Sequence, residues 1–463
     1  MAEPGRTATA LCVDFGSTFT KASLVDLAAA RIVATAAHPT TLPRPDGTGD
    51  VLDGYDACVA ALVERDPRTA DAEVLACSSA GGGLRIAVVG NEELVTAEAG
   101  RRVALSSGGK VVGVLAAAGR AADSAAYRTL SRTTRPDVVL LTGGTDGGNS
   151  QVLLEAARGL VAGGWTGPVV VAGNVEAQPE VAEILGGVPH VLADNVVPRI
   201  GELAPDSARA AVREMFLAHV IGGKHLSSRS AFADMVRGAT PDIVLTGVEV
   251  LARGVGDVVV VDVGGATTDV HSVVELDPDT IGREVVATTR VTRTVEGDLG
   301  MRWSALTTVA GLPELESAAR RRHDDPGFLP ASDAERDEDE AIARAAVGQA
   351  LRRHAGRSRV VVSPGGRVVE RTGKDLRRVG LLVGSGGVLR YGRPGVVDRV
   401  LAGSTGDVDG GWQLPRRPRV VVDADYVLAA VGLLAGEHPD SAYRLAMTLA
   451  DPVVDLGAGA GAG

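Results

Sequence analysis

Asp262 ends a run that begins with Val258 to Val261, and it is followed by Val263, Gly264, Gly265, Ala266, Thr267, Thr268 and a second carboxylate, Asp269. Those residue types in that order suit phosphate chemistry. The β-branched run reads as a buried strand, and two glycines without Cβ atoms let backbone N–H groups approach an anion closely. Asp262 then stands where a hard cation travelling with the phosphate needs an oxygen ligand, directly or through water. A buried strand with a tight turn and an incidental aspartate is the plain alternative. Against it stands a second copy near the start of the chain. Leu11, Cys12 and Val13 lead into Asp14, followed by Phe15, Gly16, Ser17, Thr18, Phe19, Thr20 and Lys21, and then an apolar run from Ala22 to Val25. Two such hairpins facing each other can clamp the phosphates of a nucleotide.

Two further glycine-rich turns follow apolar runs. Val379 to Val383 opens into Gly384, Ser385, Gly386 and Gly387, whose bare backbone gives a flat base or ribose a surface to pack on. The spacing is not GxGxxG, which argues against a dinucleotide fold. Val138 to Leu141 opens into Thr142 through Asn149, with Asp146 in the turn. Asp146 is placed either to line the nucleotide cleft or orient a water, or to stabilise the turn or cap the next helix; the residues leave both readings open. The segment Arg293 to Arg302 carries both charge signs and two glycines, as expected of a surface loop placed to approach a ligand.

These groups must be positioned by a large framework. At 463 residues the chain exceeds one compact core. It is 45% hydrophobic but only 3% aromatic, so Val, Leu and Ala must build the core. A net charge of -11 leaves no basic surplus for duplex nucleic acid. The basic runs Arg320–Arg322 and Arg416–Arg419 are expected on solvated faces. Three cysteines, Cys12, Cys58 and Cys77, form no CxxC pair and indicate neither a disulfide framework nor a cysteine metal cluster. No apolar run approaches the roughly 20 residues of a membrane span and the start lacks a signal peptide, so a cytoplasmic setting is expected.

Patterning predicts strands at 31–36, 73–78, 168–172 and 190–194, and helices at 53–65, 120–130, 152–161, 179–185 and 205–220. This alternation implies a parallel or mixed sheet covered on both faces. An apolar segment at 241–253 precedes the second hairpin, with Gly247 placed for close helix crossing; the helix at 425–435 has Gly432 in a matching role. Residues 284–292 read as a strand, 323–340 as an exposed acidic connection, 339–354 as a helix, and 457–463 as a disordered Gly/Ala tail.

In this order the segments resemble the α/β, two-domain ATPase fold of actin, hexokinase and the seventy-kilodalton chaperones, with ribonuclease H-like duplicated domains and a nucleotide cleft between them. Asp14–Lys21 resembles the first phosphate motif, Asp262–Asp269 the second and Gly384–Gly387 the adenosine motif. Thr246–Gly254 and Tyr426–Ala435 resemble the two hinge helices. Domains of 1–255, with extra strand–helix units, and 256–463 follow. The phrases Val13–Lys21, Leu141–Asn149 and Arg293–Arg302 resemble most the glutamate mutase accessory MutL family, which is unrelated to the mismatch-repair protein of that name.

That resemblance implies an ATP-dependent reactivating chaperone for an adenosylcobalamin-dependent carbon-skeleton mutase, exchanging damaged cobalamin. It also implies ATP and Mg²⁺ as cofactors. Asp14 and Asp262 become the metal ligands and catalytic pair. Gly16, Ser17, Thr18, Lys21, Gly264, Gly265, Thr267 and Thr268 would hold phosphates, and Gly384, Ser385, Gly386 and Gly387 the adenosine. A DxHxxG cobalamin pattern is absent, so the client is expected to be the mutase and not the free cofactor. A small-molecule kinase, with Asp146 as its base, and an actin-like filament protein are the alternatives. A radical-dehydratase activator is disfavoured, since no cysteine pair is suited to an iron–sulfur cluster.

Overall fold

The computed structural model describes residues 9–44, 48–91, 93–117, 124–276, 289–363, 366–408 and 410–450. Strand β1 (Thr9–Phe15) turns back into β2 (Phe19–Asp26), and β3 (Arg31–Pro39) continues antiparallel. The helix Val51–Arg65, opened by a reciprocal capping box between Asp50 and Asp53, carries the chain across to β4 (Glu73–Ser78), parallel to β1. The chain then builds β5 (Arg85–Gly90), β6 (Lys110–Ala116), β7 (Val138–Leu141), β8 (Val169–Val171) and β9 (His190–Leu192), all parallel in the order β6-β5-β7-β8-β9. Valine and leucine runs on β5, β7 and β8 are buried on both faces, as strands between two helix layers must be. Strand β10 (Val236–Ala239) returns to the first sheet beside β4.

The third sheet uses β11 (Val258–Val263), β12 (Thr268–Val273) and β13 (Val291–Glu296). After a separate hairpin of β14 (Arg357–Ser363) and β15 (Gly366–Thr372), β16 (Leu381–Ser385) and β17 (Arg419–Val422) complete it. The first sheet runs β10-β4-β1-β2-β3 and the third β13-β12-β11-β16-β17. Counted from the first strand of each sheet, both have the order 3-2-1-4-5, with antiparallel 1–2 and 2–3 pairs and parallel 1–4 and 4–5 pairs. This is the duplicated ribonuclease H-like topology, and the chain has the α/β actin-like ATPase fold.

Helices Thr240–Val255 and Val427–Leu434 cross between the outer sheets, and one core cluster joins Ala10, Cys12 and Leu75 of the first sheet to Val258, Val260 and Leu381 of the third through them. Gly247 and Gly432 make the crossing. A Cβ on Gly247 would lie 2.1 Å from the Leu428 carbonyl oxygen, and one on Gly432 only 1.9 Å from that of Ile243.

Several expectations need correction. Residues 323–340 are a connection only over 325–332. The helix Pro313–Asp324 fills their start, and the helix Asp333–His354 begins two turns before 339, opened by a capping box between Ser332 and Glu335. Charges on its first turns masked the helical period, while Ile342, Ala343, Ala346, Val347 and Ala350 face the core. Arg320 and Arg321 are solvated, but Arg322 is fully buried against Asp339, with Glu338 Oε2 3.0 Å from Nη1. The strand expected at 284–292 is described only from 289, and β13 runs on to Glu296, so the first four residues of the expected loop are strand. The predicted helix start at 120–123 and the tail at 457–463 lie outside the described residues. Among the described residues no helix is long and apolar enough to cross a membrane.

Candidate functional site

The β1–β2 turn is closed by Gly16 N–H donating to Phe19 O at 3.1 Å, and Gly16 is required there because a Cβ would come 2.6 Å from that same oxygen. Ser17 and Thr18 are left exposed at the tip. Asp14 and Lys21 face one another across the hairpin, with Lys21 Nζ 3.7 Å from Asp14 Oδ2. Asp14 Oδ1 accepts from Thr240 Oγ1 at 2.6 Å, and the Cys77 thiol approaches it at 3.7 Å. Burial by itself would lower the Lys21 pKa, but Asp14, then Tyr426 and Asp262, more than offset it and hold the ammonium above its ordinary value.

The β11–β12 turn repeats the plan. Gly264 N–H donates to Thr267 O at 2.9 Å, and a Cβ on Gly264 would approach that oxygen to 3.0 Å. Asp262, next to last in β11, lies opposite Asp269 on β12 and beside Ser385 on β16. Burial pushes the Asp262 carboxyl up, Lys21 pulls it down, and the charges of Asp269 and Asp14 add to the rise. The two turns therefore lie close enough for the carboxylates of both to act on Lys21, which is 3.7 Å from Asp14. Gly265 and Thr267 are half-exposed at the turn. Thr268 departs from its expected role, because it is fully buried and its hydroxyl donates to Leu299 O at 3.1 Å.

The third turn also differs in part from expectation. Gly384 and Gly386 are packing glycines. A Cβ on the first would strike Leu389 at 2.7 Å, and one on the second, at φ +111, would meet Val263 O at 2.3 Å. Ser385 is buried beside Asp262, and only Gly387 is exposed, with open space where a Cβ would be. Asp146 ties its turn to two neighbouring segments: its Oδ1 accepts from Val175 N–H at 3.2 Å and Asn195 Nδ2 at 2.8 Å. That commitment favours the turn-stabilising reading over a base.

Further contributors had no individual site role in the sequence reading. Tyr426 holds a left-handed backbone (φ 56) ahead of the helix Val427–Leu434, its ring 4.0 Å from Lys21 Nζ on one cation contact and 4.4 Å from Arg390 on another. Such strain in a non-glycine residue is typical of functional sites. Asp423, pushed up to about 6 by burial, accepts the Val427 and Leu428 N–H groups at 2.7 and 3.0 Å. Met301 and Arg302 N–H groups bond Gly264 O and Gly265 O at 2.9 and 2.7 Å, and Gly300 allows this because a Cβ would meet Gly265 O at 2.8 Å. The Arg293–Arg302 segment is thus the backing of the second turn. Arg293 itself, side chain 4% exposed, pairs with Asp269 at 2.5 Å. The mixed charges and two glycines of that segment were the signal in the sequence.

Paired glycine turns that a Cβ would disrupt, exposed hydroxyls and two convergent carboxylates fit a Mg²⁺–nucleotide. Among the described residues no group of three His, Cys, Asp or Glu side chains could hold a metal alone. Two carboxylates completed by phosphate oxygens and water is the usual way Mg²⁺ is held.

The chain overlays acetone carboxylase, in a nucleotide-free structure, with a TM-score of 0.42 at 15% identity, covering 92% of this chain and 70% of that one. It overlays ethanolamine utilization protein EutJ from Carboxydothermus hydrogenoformans with a TM-score of 0.28 at 11% identity, covering 96% of this chain and 92% of that one. Overlaps of that size carry no argument. Sequence does: Protein MutL of Clostridium tetanomorphum is 34% identical over 467 residues, 94% of this chain and 97% of its own length. The family described as MutL protein matches residues 10–449. Matched along nearly its whole length, the chain belongs to the MutL protein family.

Proposed function

We propose that this chain is an ATP-dependent reactivating chaperone for an adenosylcobalamin-dependent carbon-skeleton mutase of the glutamate mutase type. The observation that carries the reading is the convergence of Asp14, Lys21 and Asp262 at two turns of like build. In this proposal the turns at 16–18 and 264–267 bind and orient the phosphates through backbone N–H groups and the hydroxyls of Ser17, Thr18 and Thr267. Lys21 places an ammonium between the two turns. Asp14, oriented by Thr240, and Asp262, beside Ser385, hold the cation. Mg²⁺, when bound there, supplies neutralisation of phosphate charge, and positioning with charge stabilisation is most of what phosphoryl transfer requires. Residues 1–255 and 256–463 are the two bodies that close on the nucleotide, and closure alters affinity for the mutase, letting intact cofactor replace damaged cobalamin. A cytoplasmic setting belongs to this reading.

The test is a reactivation assay. An inactivated partner mutase should regain activity with this protein, Mg·ATP and fresh adenosylcobalamin, and should not when ATP is omitted or Asp262→Ala is used. Asp262→Ala should fold, by circular dichroism, because it removes a turn-end carboxylate and no packed apolar atoms. Undiminished hydrolysis by that folded variant would overturn the metal assignment. Recovery without ATP, or tight cobalamin binding by this chain alone, would overturn the reactivase reading.

A further inference from the structure

Arg293 sits on β13, an edge strand of the third sheet, with its guanidinium inside the protein. Nε and Nη2 donate to Asp269 Oδ1 at 2.9 and 2.5 Å. Nη1 points the other way, donating to Leu105 O at 3.1 Å and Gly109 O at 3.4 Å. Leu105 lies in the last turn of the helix Glu98–Ser106, and Gly109 immediately precedes β6. One side chain therefore joins the third sheet to the inserted parallel sheet.

Both ends of that link are chemically specific. A buried guanidinium needs a carboxylate and filled donor positions. The carbonyl end of a helix carries partial negative charge, which a cation complements. The imidazole opposite Arg293 in the β12–β13 register, His271, is held neutral by burial and by Arg293, so Asp269 is the carboxylate that answers the charge. Asp269 also belongs to the second phosphate turn: its Oδ2 accepts from Thr267 Oγ1 at 3.2 Å, and it stands opposite Asp262. Thr267, Asp269, Arg293 and the carbonyls of Leu105 and Gly109 thus form one continuous chain of hydrogen bonds.

We infer that Arg293 is a positioning residue that couples the second phosphate turn to the inserted five-stranded sheet through Asp269 and the carbonyls of Leu105 and Gly109. The inference rests on the nucleotide reading above and adds how the site is regulated: occupancy of the turn is communicated to the β5–β9 module. Lysine is not an adequate substitute, because an ammonium lacks the planar fork that serves Asp269 and the helix end together.

Hydrogen exchange on the full chain, with Mg·ATP as the probe and titration calorimetry in parallel, tests this. In the unsubstituted protein Mg·ATP should slow exchange across 98–117 by about tenfold, the size of an ordinary allosteric coupling. Arg293→Met and Arg293→Lys should each bind Mg·ATP yet lose that slowing, while exchange in β11 still responds. Arg293→Lys keeps a buried cation and covers the case in which Arg293→Met does not fold. Slowing that persists in either folded variant overturns the coupling. Binding of Mg·ATP by the unsubstituted protein with no change at 98–117 overturns it too and leaves the nucleotide reading standing. Absence of any Mg·ATP binding overturns both.

Discussion

Lys374 has a lowered proton affinity that no proposed step uses. It is buried, its Nζ donates to Thr289 O at 2.6 Å, and burial followed by the charge of Arg102 lowers it to about 7. The native state thus holds this proton less tightly than the unfolded chain does. Stability from this group rises with pH between about 7 and the ordinary lysine value, and the cost of the buried charge is fully present below 7. Lys374→Met should therefore stabilise by about 1–3 kcal/mol at pH 6 and by much less at pH 10, as read from urea midpoints. A pH-independent gain would refute the burial argument. Tyr426 makes a second residue-scale case. Tyr426→Leu keeps an apolar side chain and loses the cation contacts, so it should weaken Mg·ATP binding by about fivefold, the value of one partly desolvated cation–π contact, with little change in melting temperature.

At the level of elements, the crossing of Thr240–Val255 with Val427–Leu434 depends on two absent side chains. With carbonyl oxygens at 2.1 and 1.9 Å from the Cβ positions of Gly247 and Gly432, even alanine must push the helices apart. Gly247→Ala should cost about 1–3 kcal/mol by denaturant melting, as overpacking of a tight interface does. The helix pair Pro313–Asp324 and Asp333–His354 is held differently, by Arg322 buried against Asp339. Asp339→Ala leaves the buried guanidinium with Glu338 and two backbone carbonyls as partners and should cost about 3 kcal/mol, whereas Glu338→Ala, at the half-buried side of the pair, should cost about 1 kcal/mol.

For the whole molecule, the proposed mechanism requires closure about the crossing helices. Small-angle scattering should show compaction on adding Mg·ATP. Gly247→Leu should bind nucleotide with one hairpin yet fail to compact. A normal compaction in that variant would mean that the crossing is not where the two halves move.

The strand-then-turn patterns at Asp14 and Asp262, the alternating strands and helices, and the two glycine-bearing apolar helices were legible in order because each depends on local periodicity and on what glycine alone permits. Tertiary structure decided the rest. Thr268 and Thr267 are equivalent hydroxyls in the sequence, but the pleat turns one inward to Leu299 and leaves the other at the turn. Gly384 and Gly386 look like ligand-facing glycines and proved to be sites of side-chain and backbone packing. Arg293 and Arg322 sit in charged stretches that read as surface, yet each is buried because its carboxylate comes from another strand or helix, Asp269 or Asp339. Hydrophobic period reports which face of an element is apolar; it does not report which charge is matched from across the fold, since that match exists only once distant strands and helices have packed.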